Sequence, residues 1–185
     1  MLRAMADQYF AAFAVDAALL LRLPGSGAAL PKVPGSPALD ELLSGRLRTG
    51  ADSCYTALLP ALAGALGTPL GEVIVPGRHW DELTELFLKF GLPTLTAFWS
   101  RRWAFPTAAA DSWPFPTLAD RTGTAALLAE LARLDPASIA EQELDGLDED
   151  DLDEAAWFLT EHLPRWAAEA QRLGLDLLLI RDGAR

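Results

Sequence analysis

The chain has 185 residues, about half of them hydrophobic (51%) and 22% charged. That profile excludes a disordered chain, and the length suffices to bury a core without disulfide or metal staples. The formal net charge is −11, which repels phosphate backbones and argues against a general nucleic-acid-binding role.

The first element is the apolar stretch QYFAAFAVD, Gln8 to Asp16. Tyr9, Phe13 and Val15 share one parity and Phe10 takes the other, which predicts a strand buried on much of both faces. DAALLLRL follows as one or two helical turns, with Asp16 placed to cap them. Asp7 and Asp16 break the N-terminal apolar run and Arg22 ends it, so no secretory signal is expected. No apolar stretch reaches the ~20 residues of a membrane span. Pro24 to Pro37, PGSGAALPKVPGSP, is too rich in Pro, Gly and Ser for regular structure and reads as a loop. It matches neither a dinucleotide-binding nor a phosphate-loop glycine pattern. A short helix is expected from Ala38 to Ser44.

A helix is predicted over residues 51–66, with Leu58, Leu62 and Leu66 on one stripe, Gly67 as its stop and Pro60 kinking or breaking it. EVIV, Glu72 to Val75, adds an edge strand. HWDELTELFLKFG is a further helix, with Asp81 and Glu82 in its first turn, Leu83, Leu86, Phe87 and Phe90 on its apolar face, and Lys89 near its end. The stretch from residue 99 to residue 122 reads as a long irregular loop. A helix follows, capped near Thr122 or Thr124, with Leu127, Leu128, Leu131 and Leu134 inward and Pro136 marking its end. PASIAEQEL adds a short helix. The last helix begins near Asp148 to Asp151 and runs to Gly174 with one buried stripe, bent where Pro164 denies Thr160 a backbone donor. LDLLLIRD, Leu175 to Asp182, is a buried strand.

Strands at both ends with helices between them predict a mostly helical α+β domain over residues 1–185. Its small sheet pairs the N-terminal and C-terminal strands, because an isolated strand pair needs helices packed on it.

Residues that could carry chemistry are few. The chain has two histidines and one cysteine. No nucleophile elbow and no paired metal-ligand spacing accompanies them, so no metal or cofactor is implied and the balance leans away from an enzyme. Cys54 lies near a helix start without a basic neighbour and reads as a packing residue. The run ELDGLDEDDLDE, Glu143 to Glu154, fails the calcium-loop register, since Gly146 directly follows the first Asp. Two readings of it stay open. Acids collect at a helix N-terminus, where the dipole favours them. Asp148, Asp150, Asp151 and Asp153 would also form an acidic face for a basic partner.

The stretch SRRWAFPTAAADSWPFP, Ser100 to Pro116, sets Arg101 and Arg102 between Trp99 and Trp103. Arg beside Trp suits cation–π stacking or a carboxylate clamp, and the two are frequent in binding hot spots. The same aromatics in a Pro-rich loop also suit a lid over the core. If the stretch covers a small-molecule site, its candidates are Arg101, Arg102, Trp103, Asp111 and Trp113, with His79 as acid or base.

LTELFLKFGLPTL, the stretch containing DSWPFPTL, and the closing WAAEAQRLGLDLLLIRD together resemble the YfbM-like and DUF1877-like small bacterial domains. The resemblance lies in the order of elements over most of the chain and in the Pro/aromatic stretch. It implies an α+β fold and a bacterial source, and it carries no catalytic residues onto this sequence. The resulting expectation is a cytoplasmic, non-catalytic interaction protein, in its concrete form an immunity-type inhibitor of a basic partner. It would bind neither nucleic acid nor membrane, and its oligomeric state is left open. The alternative is a small-molecule-binding protein or enzyme with its site under residues 99–116.

Overall fold

A computed structural model of the chain describes residues 8–47, 57–75, 83–106, 114–142 and 148–183. Its centre is a four-stranded antiparallel sheet in the order β2-β1-β4-β3, built from β1 (Gln8–Val15), β2 (Thr68–Val75), β3 (Phe115–Ala119) and β4 (Asp176–Gly183). The fold is α+β, and the first and last strands pair along their whole length, from Gln8 opposite Gly183 to Val15 opposite Asp176.

β1 and β4 are paired on both edges, and helices cover both faces of the sheet, which is what their continuous apolar sequences require. Phe10, Ala12 and Ala14 of β1, with Leu177 and Leu179 of β4, belong to one core. Ala11, Phe13 and Val15, with Leu178 and Ile180, belong to a second on the opposite face. The first core is roofed by α4 (Leu83–Lys89), α5 (Pro93–Ser100), α6 (Arg121–Leu131), α7 (Pro136–Ala140), α8 (Glu149–Trp157) and α9 (Leu163–Leu173). The second is closed by α1 (Ala17–Leu21), α2 (Pro37–Leu43) and α3 (Leu58–Leu66), with Leu23, Val33 and Phe105 filling between them.

Local signals account for most boundaries. Asp16 accepts from the Leu19 N–H and caps α1. Ser36 caps α2, whose first residue is Pro37, a position where the missing N–H costs nothing. Pro60 falls in the first turn of α3, where its missing N–H likewise forfeits no intrahelical bond; the chain before Ala57, on which the expected kink or break bears, lies outside the described residues. The expected residues 51–56 of that helix, Cys54, Asp81 and Glu82 lie outside the described residues. The edge strand foreseen at Glu72 to Val75 is longer and begins at Thr68. In its pairing with β1, Ala12 faces Gly71 and Phe13 faces Pro69, which leaves Leu70 as the extra residue of a bulge. Gly71 has φ +144°, and a Cβ there would sit 2.9 Å from the Trp166 indole nitrogen, so α9 packs onto the bulge only because that side chain is absent.

Three expectations are corrected. Residues 99–122 are not one irregular loop: α5 runs to Ser100, β3 occupies Phe115–Ala119 and α6 starts at Arg121. The cap of α6 is Asp120, not Thr122 or Thr124; its carboxylate accepts from the Gly123 N–H at 2.7 Å, while Thr124 is buried and donates its hydroxyl to the Asp120 carbonyl. Pro136 does not end α6, which stops at Leu131; it opens α7 at the first helical position, behind the Asp135 cap. The bend expected at Pro164 takes a definite form. The helix widens into a π-turn over Phe158–His162, in which the Leu163 N–H donates to the Phe158 carbonyl, five residues back. Gly174, at φ +67°, then stops α9 in the left-handed conformation.

Candidate functional site

The stretch after α5 is extended chain laid along the outside of β3. Arg101 leaves the helix with φ −96° and ψ 106°, and the Trp103 N–H donates to the Pro116 carbonyl at 2.7 Å. In a strand, a residue's N and C=O point to the same side. Pro116 therefore turns its donor-less nitrogen away from β4 and toward this segment, so the sheet loses no hydrogen bond. The edge of β3 is thereby covered at Pro116 rather than left open there for pairing.

Successive residues of extended chain point to opposite faces, and this separates Arg102 from Trp103. Trp103 packs against the second core, its ring 5.2 Å from that of the fully buried Phe105. Arg102, half-buried, lays its guanidinium 4.5 Å from the centre of the Phe115 ring and donates to the Pro114 carbonyl at 3.0 Å. Arg101 is exposed. Asp111, Trp113 and His79 lie outside the described residues.

A second guanidinium meets the same ring, and nothing in the sequence pattern had singled it out. Arg181 follows the apolar run of β4 and is 1% exposed. It lies opposite Phe10 on one side and Phe115 on the other. Its Nη2 donates to the Trp99 carbonyl at 2.7 Å, at the end of α5. The guanidinium stands 4.4 Å from the Trp99 ring and 4.5 Å from the Phe115 ring. Trp99 also packs edge-on to Phe87 and Phe158. A planar, weakly hydrated cation between aromatic faces is the geometry in which cation–π attraction is strongest. An Arg at the apparent end of a strand reads as a solvent-facing residue. Only the register of β3 against β4 reveals that it is enclosed.

The acidic stretch is described from Asp148 onward. Asp148 caps α8 in a reciprocal capping box: its carboxylate accepts from the Asp151 N–H at 3.0 Å, and the Asp148 N–H donates to the Asp151 carboxylate at 3.2 Å. Two of the four predicted partner-binding carboxylates are therefore folded back on their own helix end. Glu149, Asp150 and Asp153 are exposed beside them. Among the described residues no cluster of three or more His, Cys, Asp or Glu is arranged to hold a metal ion, and no helix is long and apolar enough to cross a membrane.

The two candidate surfaces thus differ in kind. The segment after α5 and Arg181 join α5, β3 and β4 through interactions internal to the fold. The α8 terminus presents charge outward. No family model, curated protein or solved structure matches the chain.

Proposed function

We propose that the protein is a non-catalytic binding protein that engages a basic protein partner through the acidic start of α8, as an immunity-type inhibitor would. The supporting observation is the exposure of Glu149, Asp150 and Asp153 at a helix end whose cap is already supplied by Asp148 and Asp151. Carboxylates beyond those the cap needs add charge at the surface, on a chain that already carries a net charge of −11. Such a field steers a cationic partner and raises its on-rate, in a salt-dependent way.

The reading of residues 99–116 as cover for a small-molecule site draws less support. Arg102 is engaged with Phe115 and Pro114, and Trp103 packs against the core.

The test is a variant carrying Glu149→Gln, Asp150→Asn and Asp153→Asn, with Asp148 and Asp151 kept so that the helix cap survives. Against a basic protein captured from the host, the wild-type on-rate falls about tenfold or more as salt is raised, and the variant associates slowly at every salt concentration. Unchanged binding with unchanged salt dependence in the variant overturns the proposal.

A further inference from the structure

Neither candidate surface involves the π-turn, yet it holds an unusual arrangement around His162. Pro164 has no N–H to give the Thr160 carbonyl, and the helix responds by widening over Phe158–His162. His162 is the last residue of that turn. Its ring lies 4.2 Å from the ring of Trp157, the last residue of α8, at 74°. It also lies 5.6 Å from the ring of Trp166, in the first turn of α9, at 62°. One imidazole thus bridges the two helices across the irregular joint.

One contact depends on the protonation state of the ring. Nδ1 of His162 stands 3.3 Å from Nη2 of Arg165. A guanidinium offers donors only, so this contact is a hydrogen bond when Nδ1 keeps its lone pair and the ring's proton sits on Nε2. A proton on Nδ1 sets N–H against N–H, and in the doubly protonated ring it sets cation against cation as well.

We propose that His162 is a pH-sensitive latch: neutral, it ties Arg165 and α9 to the end of α8; protonated, it releases Arg165 and loosens the joint. The electrostatics act in the same direction. Burial first, and the Arg165 charge second, hold the His162 pKa below the ordinary imidazole range, while Glu161 works against them. The elements packed most closely on the turn are α8 and α9. α8 presents the Trp157 indole, α9 presents Trp166 and Arg165, and the turn itself presents Glu161. A group whose folded pKa is lowered binds more protons when unfolded. Its stabilisation is therefore complete above the ordinary value of about 6.5 and is lost as pH falls through the lowered value. The inference does not depend on the acidic face or its partner.

The chain has two histidines, so the His162 ring proton is identified in NMR spectra by its disappearance in His162→Gln. Glutamine keeps an acceptor for Arg165 but does not titrate. His162 is expected to titrate below about 6.5 and to move up toward that value in Arg165→Met. Hydrogen-exchange protection at residues 163 and 165–167, corrected for the intrinsic pH dependence, should fall between pH ~7.5 and pH ~5. The fall is about tenfold per unit of pKa depression, and it should be absent in His162→Gln. Titration at or above the ordinary value, or no response to Arg165→Met, overturns the latch. So does wild-type protection that is equal at the two pH values. If His162→Gln does not fold, the ring proton whose titration shifts in Arg165→Met identifies His162 and its wild-type titration decides; if neither ring proton shifts, the latch is overturned.

Discussion

At Gly67 the chain turns from α3 into β2 against the backbone of β1. A Cβ at this position would lie 2.5 Å from the Ala14 carbonyl oxygen, 2.8 Å from that of Ala63 and 2.9 Å from a methyl of Val15. The backbone angles are ordinary for any residue (φ −112°), so the constraint is space. Gly67→Ala should destabilise the fold by about 1–3 kcal/mol, the usual cost of overpacking where the neighbours are backbone atoms that cannot rotate away. Urea denaturation followed by far-UV circular dichroism measures this, and an unchanged midpoint would show that the strands part easily there. In the sequence, Gly67 is legible as a helix stop and Gly174 as another. The close approach at Gly67 is not, because it depends on a strand more than fifty residues earlier. Arg181 is hidden for a similar reason: its enclosure needs Trp99 and Phe115, which the register brings in from distant segments.

The element least visible in the sequence is α5, and its N-terminus shows why. Leu92 stands at its cap position without a side-chain acceptor. The acceptor comes from α6: the Glu130 carboxylate, 7% exposed, takes the Thr94 N–H at 2.9 Å and the Leu95 N–H at 2.8 Å. A cap supplied from another helix leaves no local signature, although Pro93 stands at the first helical position. β3 is obscured in the same way. Pro114 and Pro116 argue against a strand, and the strand is tolerated because it lies at an edge with its proline nitrogen facing outward. By contrast β1, β4 and α9 are legible at once, since their apolar patterns meet their own burial needs. Glu130→Ala leaves one buried and one part-buried donor without that acceptor and should cost about 2 kcal/mol, as the loss of a good N-cap does. Faster hydrogen exchange at Thr94 and Leu95 would accompany it. An equally stable variant with unchanged exchange would show that the carboxylate contributes nothing to α5.

Over the whole molecule, β4 is the strand on which the rest depends. It pairs with β1 on one edge and β3 on the other, and it sends Leu177 and Leu179 into one core and Leu178 and Ile180 into the other. Removing residues 175–185 should therefore abolish cooperative thermal unfolding rather than merely lower the midpoint, since it separates β3 from the sheet and opens both cores at once. A truncated chain that still melts in one sharp transition, followed by near-UV circular dichroism, would show that β1 and β2 hold the cores without it. The net charge, legible from composition alone, bears on which partners approach and leaves this architecture untouched.

The pairing of β1 with β4 also sets an order on synthesis. Of the four strands β1 leaves the ribosome first and carries apolar side chains toward both faces, but the neighbour that completes its pairing, β4, follows the other three. Until β4 emerges, the nascent chain holds an eight-residue apolar strand with one open edge, and loop closure across nearly the whole sequence must precede the final contacts. During that interval the helices of either core can shield β1 only in part. That open edge of β1 is a site for unwanted strand pairing that the finished sheet, with β4 in place, no longer presents.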